Sequence, residues 1–198
     1  MASPSSLQEL YVEQLRDLYD AEHQIIKALP EMIEMSRSEE LKEALNDHLE
    51  VTKKQAERLE QIFEDMDEEP KGERCKGMQG VLAEGKDLVG KIEGEKLRDA
   101  AIIASAQRVE HYEMAGYGTA RTYATMLGED EAADLLEETL GEEKDADQTL
   151  TDLASEINRE ANVQGMKEEE TSRSEAETSG RSRKAQSPPA GRRKKKAA

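Results

Sequence analysis

Cysteine occurs once in the 198 residues, at position 75, phenylalanine occurs once, and tryptophan is absent. A single cysteine excludes an intramolecular disulfide and any metal site built on several thiolates. With aromatics at 3% of the chain, a core of packed rings is excluded as well, and burial must come from aliphatic side chains. No apolar run approaches the roughly 20 residues that a membrane-spanning helix requires, which excludes a helical membrane protein. The opening stretch MASPSSLQELYVEQL has neither a basic segment nor an apolar one behind it, so it does not read as a secretory signal. The expectation is a soluble protein of the reducing cytoplasm.

What the chain has in abundance is charge, at 37% of residues with a net charge of −17. The charge is uneven. Residues 1–170 carry 19 basic and 43 acidic side chains, a net −24, whereas residues 171–198 carry 9 and 2, a net +7. An acidic body of that kind repels nucleic acid, while the basic end attracts phosphate. Ala, Glu, Leu and Lys dominate and β-branched runs are few, which favours helices. At 35% hydrophobic residues, long amphipathic helices are the economical way to build one core.

The pattern resolves into four long helices. Ser6 and Glu9 have capping-box spacing, and Tyr11, Leu15, Leu18, Ile25, Leu29 and Met32 recur at helical intervals into the mid-30s. Pro30 falls late in that helix, where it is expected to kink or loosen the last turns. Ser36 and Glu39 repeat the capping spacing and open a second helix through about Asp67, with Leu41, Leu45, Leu59 and Ile62 on its apolar face. The break DEEPKG precedes a glycine-interrupted stretch from Cys75 to Ile92, expected to be one or two short helices in a long crossover. A third long helix spans about Glu95 to Leu127 with Gly128 as its C-cap, and a fourth covers about Glu131 to Glu160. Two long helices, a crossover and two more make an all-α, ferritin-like antiparallel four-helix bundle over residues 1–162. Residues 163–198 are rich in Ser, Pro, Lys and Arg and nearly free of hydrophobes, and are expected to form a disordered tail.

Following each buried stripe shows where it turns polar. On the first helix Tyr11, Leu15 and Leu18 lead to Glu22; on the second, the middle of the stripe is His48, Thr52 and Gln55. On the third, Ile103 and Ala106 lead to Glu110 and Glu113; on the fourth, Leu136 and Leu140 lead to Glu143 and Asp147. Ionised carboxylates in a core need cations, shared protons or water. Two divalent metals would neutralise most of five such charges, and carboxylates with some imidazole suit Fe, Mn or Zn. Each residue also has a plainer reading. Any one of these acids alone fits the edge of a stripe reaching water, and His48 alone fits a hydrogen-bonded core histidine. It is the coincidence across four helices that points to a metal site.

The tyrosines read mainly as core or interface residues, with one beside the acids able to donate a hydrogen bond to a ligand. His23 and His111 point about 100° away from their acidic neighbours and belong at the surface or an interface. The terminal GRRKKKAA is either a solubilising end or a weak, salt-sensitive, non-specific contact for nucleic acid.

Several stretches resemble the YciE/YciF family of bacterial ferritin-like proteins. They are LRDLYDAEHQIIKALPEM, HLEVTKKQAERLEQIF, CKGMQGVLAEG, RDAAIIASAQRVEHYEMAGYGTA and LLEETLGEEKDADQTLTDLA, together covering about residues 6–160. The string QRVEHYE followed by YGT is the most specific of them. The resemblance implies a ferritin-like fold, homodimers, an association with stress responses and a ferroxidase classification. By motif it carries over Glu22, Glu110, Glu113, Glu143 and Asp147 as metal ligands, with His48 as a further candidate. The chain departs from the family pattern at HLEVT, where Val51 stands in place of a usual Glu, and at Lys53 in place of a histidine after Glu50. Two functions follow. One is a di-iron carboxylate ferroxidase oxidising Fe(II) with O2 or peroxide; the other is a non-catalytic dimeric stress or scaffold protein with a degenerate metal site.

Overall fold

The computed structural model describes residues 3–72 and 74–185, and every regular element among them is helical. The basic end GRRKKKAA lies outside the described residues. Five helices follow in order: α1 (Leu7–Met35), α2 (Glu39–Asp65), α3 (Lys76–Val89), α4 (Glu95–Leu127) and α5 (Asp130–Ala185). Helices α1, α2, α4 and α5 form the bundle, and α3 is the single helix of the crossover.

Local chemistry sets most of the ends. Ser6 caps α1 by accepting from the Glu9 amide at 3.1 Å. Cys75 caps α3, its Sγ accepting from the Met78 amide at 3.3 Å. Gly128 closes α4 in the left-handed region at φ 80°, a conformation a Cβ disfavours. Helix α1 runs through Pro30 to Met35 without interruption, so the expected loosening does not end the helix.

Two boundaries differ from expectation. The cap of α2 is Ser38, whose hydroxyl accepts from the Leu41 amide at 3.3 Å; Ser36 instead ends α1 and is fully buried. The cause lies on another helix. Buried Asp99 of α4 accepts from the Arg37 amide at 2.8 Å, the Ser38 amide at 2.9 Å and the Ser36 hydroxyl at 3.3 Å. A carboxylate satisfying those amides fixes the α1–α2 turn and moves the helix start by two residues.

The second difference is the length of α5, which continues past Glu160 to Ala185. Residues Met1–Ala161 form one compact unit and Asn162–Ala198 a second. Among the described residues, the last buried side chain on α5 is Ile157, and Val163 and Met166 are exposed. The buried stripe therefore stops near the expected boundary, while the backbone stays helical because Ala, Glu, Lys and Gln favour helix and no proline intervenes before Pro188.

The core of the first unit consists of two apolar clusters. One joins Tyr11, Leu15, Leu18, Leu59, Ile62, Phe63, Leu136 and Leu140 with small residues of α4. The other joins Ile25, Leu29, Leu41, Leu45, Ile102, Ile103 and Leu150 with Met78 and Val89 of α3. Each fully buried aliphatic side chain contributes about 1.5–3 kcal/mol relative to exposure. Gly116 lets α4 approach α1 closely, because a Cβ there would lie 2.7 Å from Leu18 Cδ2. Between the two clusters lies a layer of buried polar side chains.

Candidate metal centre

The polar layer takes one to three side chains from each long helix. Glu22 comes from α1, Thr52 and Gln55 from α2, Glu110 and Glu113 from α4, and Glu143 from α5, all of them buried. His48 of α2 keeps only 10% of its side-chain surface. The periodicity of each helix explains the convergence. Glu22 lies four residues after Leu18, Glu113 four before Tyr117 and Glu143 three after Leu140, so each takes the inward face of its turn.

His48, Glu110, Glu113 and Glu143 each offer a ligand atom, and these four atoms lie within 4.8 Å of one another. His48 Nε2 is 3.4 Å from Glu110 Oε1. Gln55 Nε2 donates to Glu143 Oε1 at 2.5 Å and to Glu142 Oε2 at 3.2 Å. The Tyr117 hydroxyl donates to Glu22 Oε1, and Glu22 also pairs with Glu113. Arg58 of α2 is spent on Glu142, at 2.6 and 2.8 Å, and on Glu138.

Among the described residues, the four inner carboxyls therefore share no cation. Burial, then the charge of Glu143, pushes the Glu22 and Glu110 carboxyls well above the usual range. Burial, then the charge of Glu22, does the same to Glu113. Glu143 is pushed up to about 7 by burial, opposed by hydrogen bonds with Glu110 and Gln55. His48 is pushed down to about 4, chiefly by burial, so its imidazole is neutral and able to ligate. Glu22 Oε2, His48 Nε2, Gln55 Oε1, Glu110 Oε2, Glu113 Oε1 and Glu143 Oε2 are all buried without a hydrogen-bond partner. Leaving one such atom unsatisfied costs about 1–3 kcal/mol, and six in one layer call for a common partner.

A divalent cation fits that requirement. Carboxylate and imidazole bonds of about 2.0–2.2 Å set donor atoms no more than about 4.4 Å apart across one ion. The observed limit of 4.8 Å asks only a small contraction. The donor set is oxygen with one nitrogen, which suits Fe, Mn or Zn. Glu22 lies beyond Glu113, held by Tyr117, where it extends the carboxylate surface past the four-atom group.

The remaining ligand candidate, Asp147, lies outside this group, as do Glu50 and the two histidines expected at the surface or an interface. Asp147 is partly exposed and is not brought into the group; its Oδ1 accepts from Gln107 at 3.2 Å and lies 3.4 Å from His111 Nε2. Glu50 is exposed and pairs with Lys53 at 2.6 Å. His111 is 66% exposed, and His23 stacks on Tyr19 with ring centroids 4.3 Å apart. The bond from Tyr117 to Glu22 was legible only as a general option for a tyrosine beside the acids. Its signal is the spacing, since Tyr117 follows Glu113 by one helical turn.

Two cavities reach the layer. A cavity of about 660 Å³ is lined from α1, α2, α3 and α4 and includes His48 and Glu110. A smaller one of about 310 Å³, between α2, α4 and α5, includes the same two residues with Val51, Glu142, Asp47 and Asp145.

A helical bundle with a layer of carboxylates and one histidine across its middle belongs to the ferritin-like class of carboxylate proteins. Within that class the chain belongs to the family described as Domain of unknown function (DUF892), whose model matches residues 6–162. It is 41% identical over 158 residues to Protein YciF of Escherichia coli strain K12, covering 79% of this chain and 95% of that one. The crystal structure of YciF, described as an E. coli stress protein, superposes with a TM-score of 0.76 at 40% identity over 79% of this chain and 99% of that one. YcfI of Rhodopseudomonas palustris, to which a structural role is attributed, gives 0.74 at 42% identity over 76% and 98%. A Xanthomonas campestris protein at 20% identity, with a TM-score of 0.62 over 84% and 99%, shares the fold.

Proposed function

We propose that this chain is a ferritin-like carboxylate metalloprotein that takes up Fe(II) as substrate and oxidises it to Fe(III) with O2 or peroxide. The observation that carries the reading is the convergence of partnerless buried oxygens from Glu22, Glu110, Glu113 and Glu143 with His48 Nε2. Each Fe(II) gives up one electron, and the oxidant accepts the electrons and takes up protons to become water. In this reading Glu110, Glu113, Glu143 and His48 hold the cation, and Glu22 serves a second, weaker position. Anionic oxygens in a water-poor layer favour the higher charge of Fe(III) over Fe(II). Gln55 fixes the orientation of Glu143, and Tyr117 fixes that of Glu22. Mn or Zn would satisfy the same donors without the same redox outcome.

The second reading is a non-catalytic stress or scaffold protein whose inner carboxyls stay protonated. Val51 favours it, because an apolar side chain lines the smaller cavity where the resemblance would place a carboxylate. Both readings take the chain to be a cytoplasmic homodimer, and a weak salt-sensitive contact between the basic tail and nucleic acid is compatible with either. The test is ferric formation followed by near-ultraviolet absorbance after anaerobic Fe(II) is mixed with oxygen. Oxidation well above the protein-free rate, lost in Glu113→Gln, supports the ferroxidase. A rate equal to buffer for both proteins leaves the scaffold.

A further inference from the structure

We propose that the larger cavity binds an amphipathic organic anion of the fatty-acid type. Its apolar chain would lie in the cavity and its carboxylate at the rim beside Lys27 and Arg74. This goes beyond the metal reading and does not require a metal to be bound.

The cavity's size, about 660 Å³, is that of small-molecule sites, which span about 300–1,000 Å³. Its wall is largely aliphatic, with Ile25 and Leu29 from α1, Leu82 from α3, and Ile102, Ala106 and Val109 from α4, interrupted by Gln24, Gln79 and Ser105. The cavity's Ser105 and Gln24 are already partnered, on the Ala101 and Cys75 carbonyls at 2.8 and 3.0 Å, so the cavity presents mainly its apolar wall. It is well suited to a hydrocarbon chain, which gains about 0.8 kcal/mol per buried methylene in general.

The rim selects the head group. Its exposed charged side chains are Lys27, Glu31, Arg74 and Lys86, with Asp20 beside them. Glu31 is bound to Lys86 at 2.7 Å. Asp20 is occupied by the Cys75 amide at 2.8 Å and by Gln24 at 2.6 Å. Lys27 and Arg74 are left without an ion pair among the described residues. Two uncompensated cations at one cavity rim favour an anionic head group locally, against the net −24 of residues 1–170. At the inner end His48 and Glu110 close the cavity, and Glu110, at 2% exposure, carries a partnerless oxygen.

The experiment uses the full-length, chelator-treated protein and decanoate as probe, with decanol as its uncharged counterpart, by calorimetric titration. One saturable decanoate site per chain is expected, with decanol binding more weakly. Lys27→Glu/Arg74→Glu lies at exposed positions and keeps the fold; it should weaken decanoate by about tenfold or more while leaving decanol little changed. Ala106→Phe, which fills the cavity from α4, should abolish both. Absence of saturable binding to the folded wild type overturns the proposal, as does decanoate binding unaltered in both variants. If decanoate binds only as the chain dimerises, followed by light scattering, the cavity belongs to an interface between copies, which also overturns it. None of these outcomes bears on iron stoichiometry, so the metal reading stands or falls separately.

Discussion

The two apolar clusters on either side of the carboxylate layer differ in how they are closed. The cluster built on Tyr11, Leu15, Leu59, Ile62 and Phe63 contributes no buried side chain to either cavity that reaches the layer. The cluster built on Ile25, Leu29, Leu45, Ile102 and Val109 lines the larger cavity with five of its residues, and Leu45 and Leu150 line the smaller one. One end of the bundle is packed; the other is packed and penetrated. Close packing contributes rigidity and stability, whereas access to a buried polar layer requires space beside it. The same four helices therefore divide the two tasks along their length.

The largest predicted effect breaks the packed end. Leu59→Ala should destabilise by about 3–5 kcal/mol, since nothing nearby can relax into the space. Leu29→Ala, beside existing volume, should lose only about 1–2 kcal/mol. Urea unfolding of the two variants measures this, and equal losses would erase the distinction between the clusters.

Next in size is the layer itself. Glu110→Gln/Glu143→Gln should leave the metal-free protein as stable as wild type or more stable by about 1–4 kcal/mol at pH 8, because it removes like charges from a buried site. A strongly destabilised double variant would mean that the carboxyls are structural partners rather than cation ligands.

A smaller effect is pH dependence. Carboxyls whose folded pKa lies above the unfolded value stabilise the fold fully below the unfolded value, and that contribution is lost as pH rises through the folded one. For Glu143 the window runs from 4.5 to about 7; Glu22, Glu110 and Glu113 shift in the same direction. His48 is depressed from 6.5 to about 4, so its contribution is present above 6.5 and lost as pH falls through about 4. It opposes Glu143 in the overlap, and above 6.5 only the carboxyls remain. The melting temperature of chelator-treated protein should therefore fall between about pH 6 and about pH 8. With a divalent cation present the trend should reverse, because binding requires deprotonated ligands. A flat profile in both conditions would contradict the arrangement.

Much of this was legible in the sequence because helical periodicity places side chains in angle, if not in depth. The stripe Tyr11, Leu15, Leu18 leads to a buried Glu22, and the α4 stripe leads to Glu110 and Glu113. Gly128 ends α4 where expected because only its left-handed φ closes that helix. What was not legible depends on contacts between distant segments. Ser36 and Ser38 both have the chemistry of a cap, and Asp99, some sixty residues away, decides between them. Asp147 shares a face with Glu143, yet Gln107 and His111 hold it at the edge. The cavity beside the layer is a volume left between four helices, and no local pattern announces it.

The claim that the polar layer is a cation site is tested most directly by iron content after anaerobic Fe(II) loading, desalting and elemental analysis. Wild type is compared with Glu110→Ala/Glu143→Ala. The account predicts between one and two irons per chain in the wild type, falling to background in a double variant that remains folded. Background iron in both proteins, with the variant as stable as wild type, would contradict it.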